Sequence, residues 1–305
     1  MKKLFFLFLI SCLFSSLFSF TQRYRDYFGL LNFTDDSYKV SYFFSPILKE
    51  YENLNAYGKK LILGERYIRI GPGHYSDEFS TYIINKGISF SSYAYDYTRY
   101  YKMGWFARFL LITEELTIKD QDGNILLTLE ILTPEDFEVK EDYGDVDANL
   151  ILDESSIEKW KERQENFNIE NQQFGTVFNM KNESNKTTNI EYSLSSMLTE
   201  NVENQTYILD LGTNQISINS GLLQEEQSLI LEDESSVLIS NYTYDYWKLN
   251  KMGWFAQFML ITGKFVVKDE IGNVILNLDT ITPEDFEVTE ENGITTATLV
   301  IRDKN

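Results

Sequence analysis

Histidine and cysteine, on which much nucleophilic catalysis and zinc binding depend, are nearly absent from this chain. It has one histidine, His74, and one cysteine, Cys12. Once Cys12 leaves with a leader segment, counting nearly excludes catalysis by histidine or cysteine, since only His74 and no thiol remain, and it excludes a zinc site of His and Cys ligands. His74 lies in Gly71-Pro72-Gly73-His74-Tyr75, a turn-rich run whose later counterpart around Gly221 lacks a histidine, so it reads as a solvated loop residue. No phosphate loop, GxSxG, HExxH or dinucleotide fingerprint occurs. With 47 Asp and Glu residues, the catalytic reading that survives is a carboxylate-pair hydrolase of the glycosidase type. The inventory favours binding over catalysis.

Two oxygen-rich segments invite an ionic reading. Thr133-Pro134-Glu135-Asp136-Phe137-Glu138-Val139 recurs letter for letter at 282–288. A threonine before proline and two acids is a helix start, with the hydroxyl on free backbone N–H groups and the acids facing the positive end of the dipole. Asp120, Asp122 and Asn124 alternate like calcium ligands, but glycine falls at the fourth position rather than the sixth, and the second occurrence has Ile271 in place of Asp122. A turn is the better account. The sequence names no cofactor, and calcium elsewhere on so acidic a chain stays open.

The most informative functional feature is aromatic. Tyr93, Tyr95 and Tyr97 alternate with Ala94, Asp96 and Thr98, and Tyr242, Tyr244 and Tyr246 repeat the pattern. Period two gives a strand with one tyrosine face. Such a face is either core or an amphipathic platform for a glycan or protein, and these six tyrosines are the candidate ligand-binding residues.

The elements that carry these residues are duplicated. Residues 93–144 align without a gap to residues 242–293, an offset of 149, with 29 of 52 positions identical. Weaker matches upstream extend each copy to a full domain, longer than a solenoid repeat that needs neighbours. The expected division is a signal segment at 1–20, a first β domain at 21–153, a charged linker with a short, loosely docked helix capped at Ser155-Ser156 over 154–173, and a second β domain at 174–305. Tight turns near Asp122-Gly123 and Gly64 join strand pairs, and 149–152 and 297–301 close each copy as final strands. The fold class is therefore all-β: two tandem, independently folded antiparallel β-sandwich-like domains.

Met103 to Ile112, with its counterpart in the second copy, is an apolar run that periodicity leaves ambiguous. Its short length, flanking glycine and aromatic content favour a central strand covered on both faces, interrupted only by Arg108 or Gln257. As a helix it would make a β-barrel round a central hydrophobic helix, which loosely resembles tubby-like or scramblase-like domains, though no motif ties the chain to either.

Met1-Lys2-Lys3 followed by seventeen mostly apolar residues reads as a secretory signal, too short for a comfortable span. Leu9-Ile10-Ser11-Cys12 also resembles a bacterial lipoprotein box, in which Cys12 would be lipidated. Removal of 1–20 leaves a cysteine-free chain of net charge −22, with no transmembrane span expected. So acidic a chain repels phosphate backbones, which excludes nucleic acid as partner. Glycosylation sequons stand at Asn32, Asn182, Asn185, Asn204 and Asn241, about as many as composition alone would produce. The expected function is an exported, cell-surface or secreted binding or adhesion protein with an extracellular glycan or protein ligand. The alternative is a structural subunit of a coat or matrix that self-associates.

Overall fold

The computed structural model describes residues 23–50, 59–63, 66–72, 78–84, 86–167, 173–212, 214–220 and 227–302. The leader, Cys12 and His74 lie outside them. In the first copy the elements run β1 (Tyr24–Asn32), β2 (Ser37–Phe44), β3 (Lys49–Glu50), β4 (Lys59–Leu63), β5 (Arg66–Pro72), β6 (Glu78–Ile84), β7 (Gly87–Tyr95), α1 (Thr98–Lys102), α2 (Trp105–Ile112), β8 (Thr113–Lys119), β9 (Ile125–Thr128), β10 (Phe137–Asp142) and β11 (Asp145–Leu152), followed by helix α3 (Glu154–Asn166). The second copy repeats them as β12 (Phe174–Glu183), β13 (Thr188–Leu194), β14 (Leu198–Asn201), β15 (Thr206–Asp210), β16 (Gln215–Ser220), β17 (Gln227–Leu231), β18 (Ser236–Tyr244), α4 (Trp247–Met252), α5 (Trp254–Ile261), β19 (Thr262–Lys268), β20 (Val274–Asn277), β21 (Phe286–Glu291) and β22 (Ile294–Arg302).

Each copy has a seven-stranded and a four-stranded sheet. The orders are β10-β11-β1-β7-β5-β4-β3 with β6-β2-β8-β9, and β21-β22-β12-β18-β16-β15-β14 with β17-β13-β19-β20. The duplication is thus complete at the level of topology, and the architecture is all-β, multi-sheet and sandwich-like, not a barrel. Rings from both sheets meet inside: Tyr42 of β2 stacks on Phe90 of β7 at 4.9 Å between centroids. The expected hairpins form, Leu61 opposite Ile68 and Ile118 opposite Leu127.

Two expectations change. The closing strands pair in parallel with the first ones, Leu30 beside Leu150 and Met180 beside Leu299, so neither seven-stranded sheet is purely antiparallel. Pairing between strands more than a hundred residues apart leaves no local signal. The run Met103–Ile112 is helical over Trp105–Ile112, not a strand. Gly104 starts this helix at φ +83° and Gly253 starts its twin at φ +81°, a left-handed corner that other residues rarely adopt. The run is apolar on nearly all sides because it is enclosed on nearly all sides: Phe109, Leu110 and Ile112 are fully buried, with Phe109 edge-on to Phe28 of β1 at 5.2 Å.

The copies also meet one another, by equivalent contacts made in both directions. Lys102 of α1 donates to the carbonyls of Asp279 and Ile281, and Lys251 of α4, its equivalent, donates to those of Glu130 and Leu132. Arg99 bonds the carbonyl of Met259 in the last turn of α5, where the helix has carbonyls without intrahelical partners. Its equivalent Lys248 reaches Glu114 at 3.4 Å. Such reciprocity is the mark of an isologous contact, here between two halves of one chain.

Candidate functional site

The tyrosine face of β7 points inward. Tyr93 and Tyr95 are buried, as are Tyr242, Tyr244 and Tyr246, while Tyr97 is half-buried beside Arg99. Of the two readings the face allows, burial matches the core one: apart from half-buried Tyr97 the rings are turned from solvent, because the alternating tyrosines fall on the side of the sheet that faces the enclosed helix.

They surround a buried ion pair. Arg108 of α2 donates from Nε and Nη2 to the two carboxylate oxygens of Asp26 on β1 at 2.7 and 2.8 Å, and from Nη1 to the carbonyl of Tyr101. Tyr95 donates to the same carboxylate at 3.3 Å, and the hydroxyls of Tyr93 and Tyr100 are 2.9 Å apart. Burial alone would weaken the guanidinium charge, but Asp26 more than restores it, so Arg108 stays above its ordinary value. Burial, reinforced by Asp26, pushes the Tyr93 phenol well up. In the second copy the same positions hold a neutral version. Gln257 replaces Arg108 and Thr176 replaces Asp26, with Thr176 and Tyr242 each donating to Gln257 Oε1 at 2.8 Å. Burial raises the Tyr242 phenol as well. A fully satisfied polar network in both copies, charged in one and neutral in the other, is a device that holds the helix against the sheet.

The Asp120 loop is a turn. Asp120 accepts from the Asn124 amide N–H and side chain at 2.8 and 2.7 Å, and Asp269 does the same with Asn273. Among the described residues no group of three or more His, Cys, Asp or Glu side chains is arranged to hold a metal ion. Pro134–Asp136 is one turn of 3₁₀ helix, with Asp136 Oδ2 accepting from the Thr133 N–H and hydroxyl at 2.7 and 3.2 Å. Asp136 has a second role. Its Oδ1 accepts from the indole of Trp160 at 3.0 Å and from Arg163 at 2.8 Å, and Arg163 also reaches Oδ2 at 2.6 Å. Helix α3 is therefore firmly docked through the fully buried Trp160 rather than loosely attached, and Asp153 caps it by accepting from the Ser156 N–H at 2.7 Å.

Two of the five sequons are turn motifs. Asn32 accepts from the N–H and hydroxyl of Thr34 and donates to the Asp36 carbonyl at 3.0 Å. Asn182 does likewise with Ser184 and Lys186, and adds the Leu231 carbonyl at 2.9 Å. Both amides are buried and cannot carry a glycan in this fold. Asn185 and Asn204 are exposed, and Asn241 is half-buried in β18.

A large recess follows from the parallel pairing. Because β1 and β11 run side by side, the loop leaving Asn32 and the start of α3 emerge together, tied by the Phe33 N–H to the Leu152 carbonyl at 2.9 Å. Between them and the Asp120 turn lies an open groove of about 1040 Å³. Phe33, 66% exposed, lines it together with Asp35, Asp36, Asp122, Glu154, Glu158 and Lys161. One wall is α3, and among the described residues no helix takes the equivalent place in the second copy. Sequence reasoning missed it because its walls are far apart in the chain.

No known protein family matches the chain, and no curated protein matches it in sequence. No described helix is long and apolar enough to cross a membrane.

Proposed function

We propose that this is an exported binding protein, displayed at or released from the cell surface, which engages its ligand in the groove beside α3. The observation that carries the reading is the groove itself: an open, ligand-sized recess lined by an exposed aromatic ring and a strong excess of carboxylates. The leader-like first twenty residues support export. Of the glycan and protein ligands that the aromatic content suggests, a protein segment presenting lysine or arginine is the better match, since its charge complements the groove and its aliphatic stems suit Phe33.

The test is binding of lysine- and arginine-rich peptides, with neutral glycans as the comparison, to the wild type and to a Glu154→Gln, Glu158→Gln double variant. Saturable peptide binding that weakens in the variant and falls as salt rises supports the reading. Glycan binding without peptide binding replaces the ligand class, and no binding of either removes the groove. The coat or matrix reading has less support. The outer edge strands β10 and β21 carry Glu138, Glu141 and Asp142, and Glu287, Glu290 and Glu291, charges that resist edge-to-edge pairing.

A further inference from the structure

Helix α3 covers a surface of the first copy whose counterpart in the second copy is covered by no helix among the described residues. In the first copy α3 lies along β9, sinks Trp160 out of contact with solvent, and places the Trp160 indole and the Arg163 guanidinium on one carboxylate, Asp136. Beneath it Leu126, Leu129 and Asp136 are buried. The receiving surface recurs in the second copy. Thr282-Pro283-Glu284-Asp285-Phe286 is identical, Asp285 makes the same bonds to Thr282 at 2.7 and 3.2 Å, and Trp254 packs edge-on to Phe286 as Trp105 does to Phe137. Here, however, the equivalents of Leu126, Leu129 and Asp136, which are Ile275, Leu278 and Asp285, are all half-exposed.

We infer that the β20 and Thr282–Asp285 surface of the second copy is a docking site for an amphipathic helix supplied by a partner protein, with a tryptophan to fill the place of Trp160 and an arginine three residues later to pair with Asp285. The first copy is the template for this assignment: it shows the same residues in the same backbone frame with such a helix in place. Charge and shape agree with it. Asp285 Oδ2 is held by Thr282, which leaves Oδ1 at the position where its equivalent takes both an indole and a guanidinium. Ile275 offers the apolar floor that Leu126 provides under α3. The surface is on the opposite copy from the acidic groove and stands whether or not a ligand binds there.

The probe is the chain's own docked helix, a synthetic peptide of residues 153–167, added to the full-length protein, whose first copy already holds that segment in cis. One-to-one saturable binding is expected, with NMR shift changes at Ile275, Leu278 and Asp285. It should weaken at least tenfold when the peptide's tryptophan becomes alanine, or when the protein carries Ile275→Lys or Asp285→Asn. Ile275→Lys alters a half-exposed side chain, and Asp285→Asn keeps an acceptor for the turn, so both variants should fold. A second measurement appends residues 153–167 after Arg302. The grafted helix should become protected from hydrogen exchange and its tryptophan emission should shift to the blue. A graft that stays unprotected overturns the docking surface. Binding that is insensitive to Ile275→Lys, or absent at millimolar peptide, overturns the partner helix.

Discussion

Arg108 and Asp26 form a two-pronged ion pair in which both side chains are fully buried, while the equivalent positions Gln257 and Thr176 meet through a single neutral hydrogen bond at 2.8 Å. One architecture thus holds its central helix by charge in one copy and by an amide in the other. A buried pair is weak evidence of net stabilisation, but breaking one partner leaves an uncompensated charge. Asp26→Ala should therefore lower unfolding free energy by about 3–5 kcal/mol, measured by urea denaturation. The double change Asp26→Thr, Arg108→Gln, which imports the second copy's pair, should recover most of that loss. A double variant as unstable as the single one would mean that the surrounding tyrosines, not the pair, set the cost.

Lys251 gives the molecule a pH signature. Burial holds its ammonium down to about 8 from an ordinary 10.5, partly offset by Glu130, with Arg163 adding to the depression. The unfolded chain then holds the proton more tightly than the folded one. The penalty is complete below pH 8, fades as pH climbs from 8 towards 10.5, and stability rises across that interval. Residual solvent contact reduces the gain to about 1–2 kcal/mol. Denaturant titrations at pH 7 and pH 9.5 should show it, and Lys251→Met should reduce the slope, leaving the part due to Lys248 and Lys102, whose ammonium groups burial also lowers. The buried tyrosines act in the opposite sense, because phenols raised by burial lose stability as pH passes above 10, so the comparison belongs below that point.

The repeated Thr-Pro-Glu-Asp segment separates two roles of one residue type. Asp136 closes its turn and also anchors Trp160 and Arg163, whereas Asp285 closes its turn alone. Asp285→Ala should cost about 1 kcal/mol, the value of a cap. Asp136→Ala should cost about 1–3 kcal/mol more, because a buried indole N–H and a guanidinium lose their acceptor. Trp160→Ala should cost about 3–5 kcal/mol. Urea midpoints for the three variants check the order. Equal losses for the two aspartates would show that α3 contributes little to the first copy.

What could be read from the chain was local or repeated. The duplication is plain in the repeated letters, and the hairpin around Ile118 and Leu127, the Asp120 turn and the Thr-Pro-Glu-Asp turn each rest on nearby residues, although the threonine hydroxyl donates to the aspartate there and does not cap backbone N–H groups. What could not be read was decided at a distance. The eight residues from Trp105, seven of them apolar, suit a strand or a helix equally, and enclosure in the core chose the helix. The alternation of Tyr93 and Tyr95 marks a face, but whether that face is inside depends on where α2 sits. Asp26 and Arg108 stand 82 positions apart, and the groove exists only because β1 and β11 run side by side. Trp160, set in a charged stretch, signals burial only weakly until Asp136 is seen beneath it.

The sequons make the last contrast. In both copies the Asn-x-Ser/Thr pattern at the end of the first strand is used by the backbone: the asparagine oxygen takes the hydroxyl and N–H two residues on, and its amide nitrogen donates to carbonyls. Asn182 has the fuller set, since it also ties β12's exit to Leu231 of β17. Asn182→Ala should therefore destabilise by about 2–4 kcal/mol, the sum of a few buried hydrogen bonds, while Asn204→Gln at an exposed loop should stay within about 0.5 kcal/mol of wild type. If the protein is made in a glycosylating host, peptide mapping should find sugar at Asn185 or Asn204 and none at Asn32 or Asn182. A glycan on Asn182 of folded protein would mean that this turn opens, because the nitrogen that would carry the sugar is the one that donates to Lys186 and Leu231.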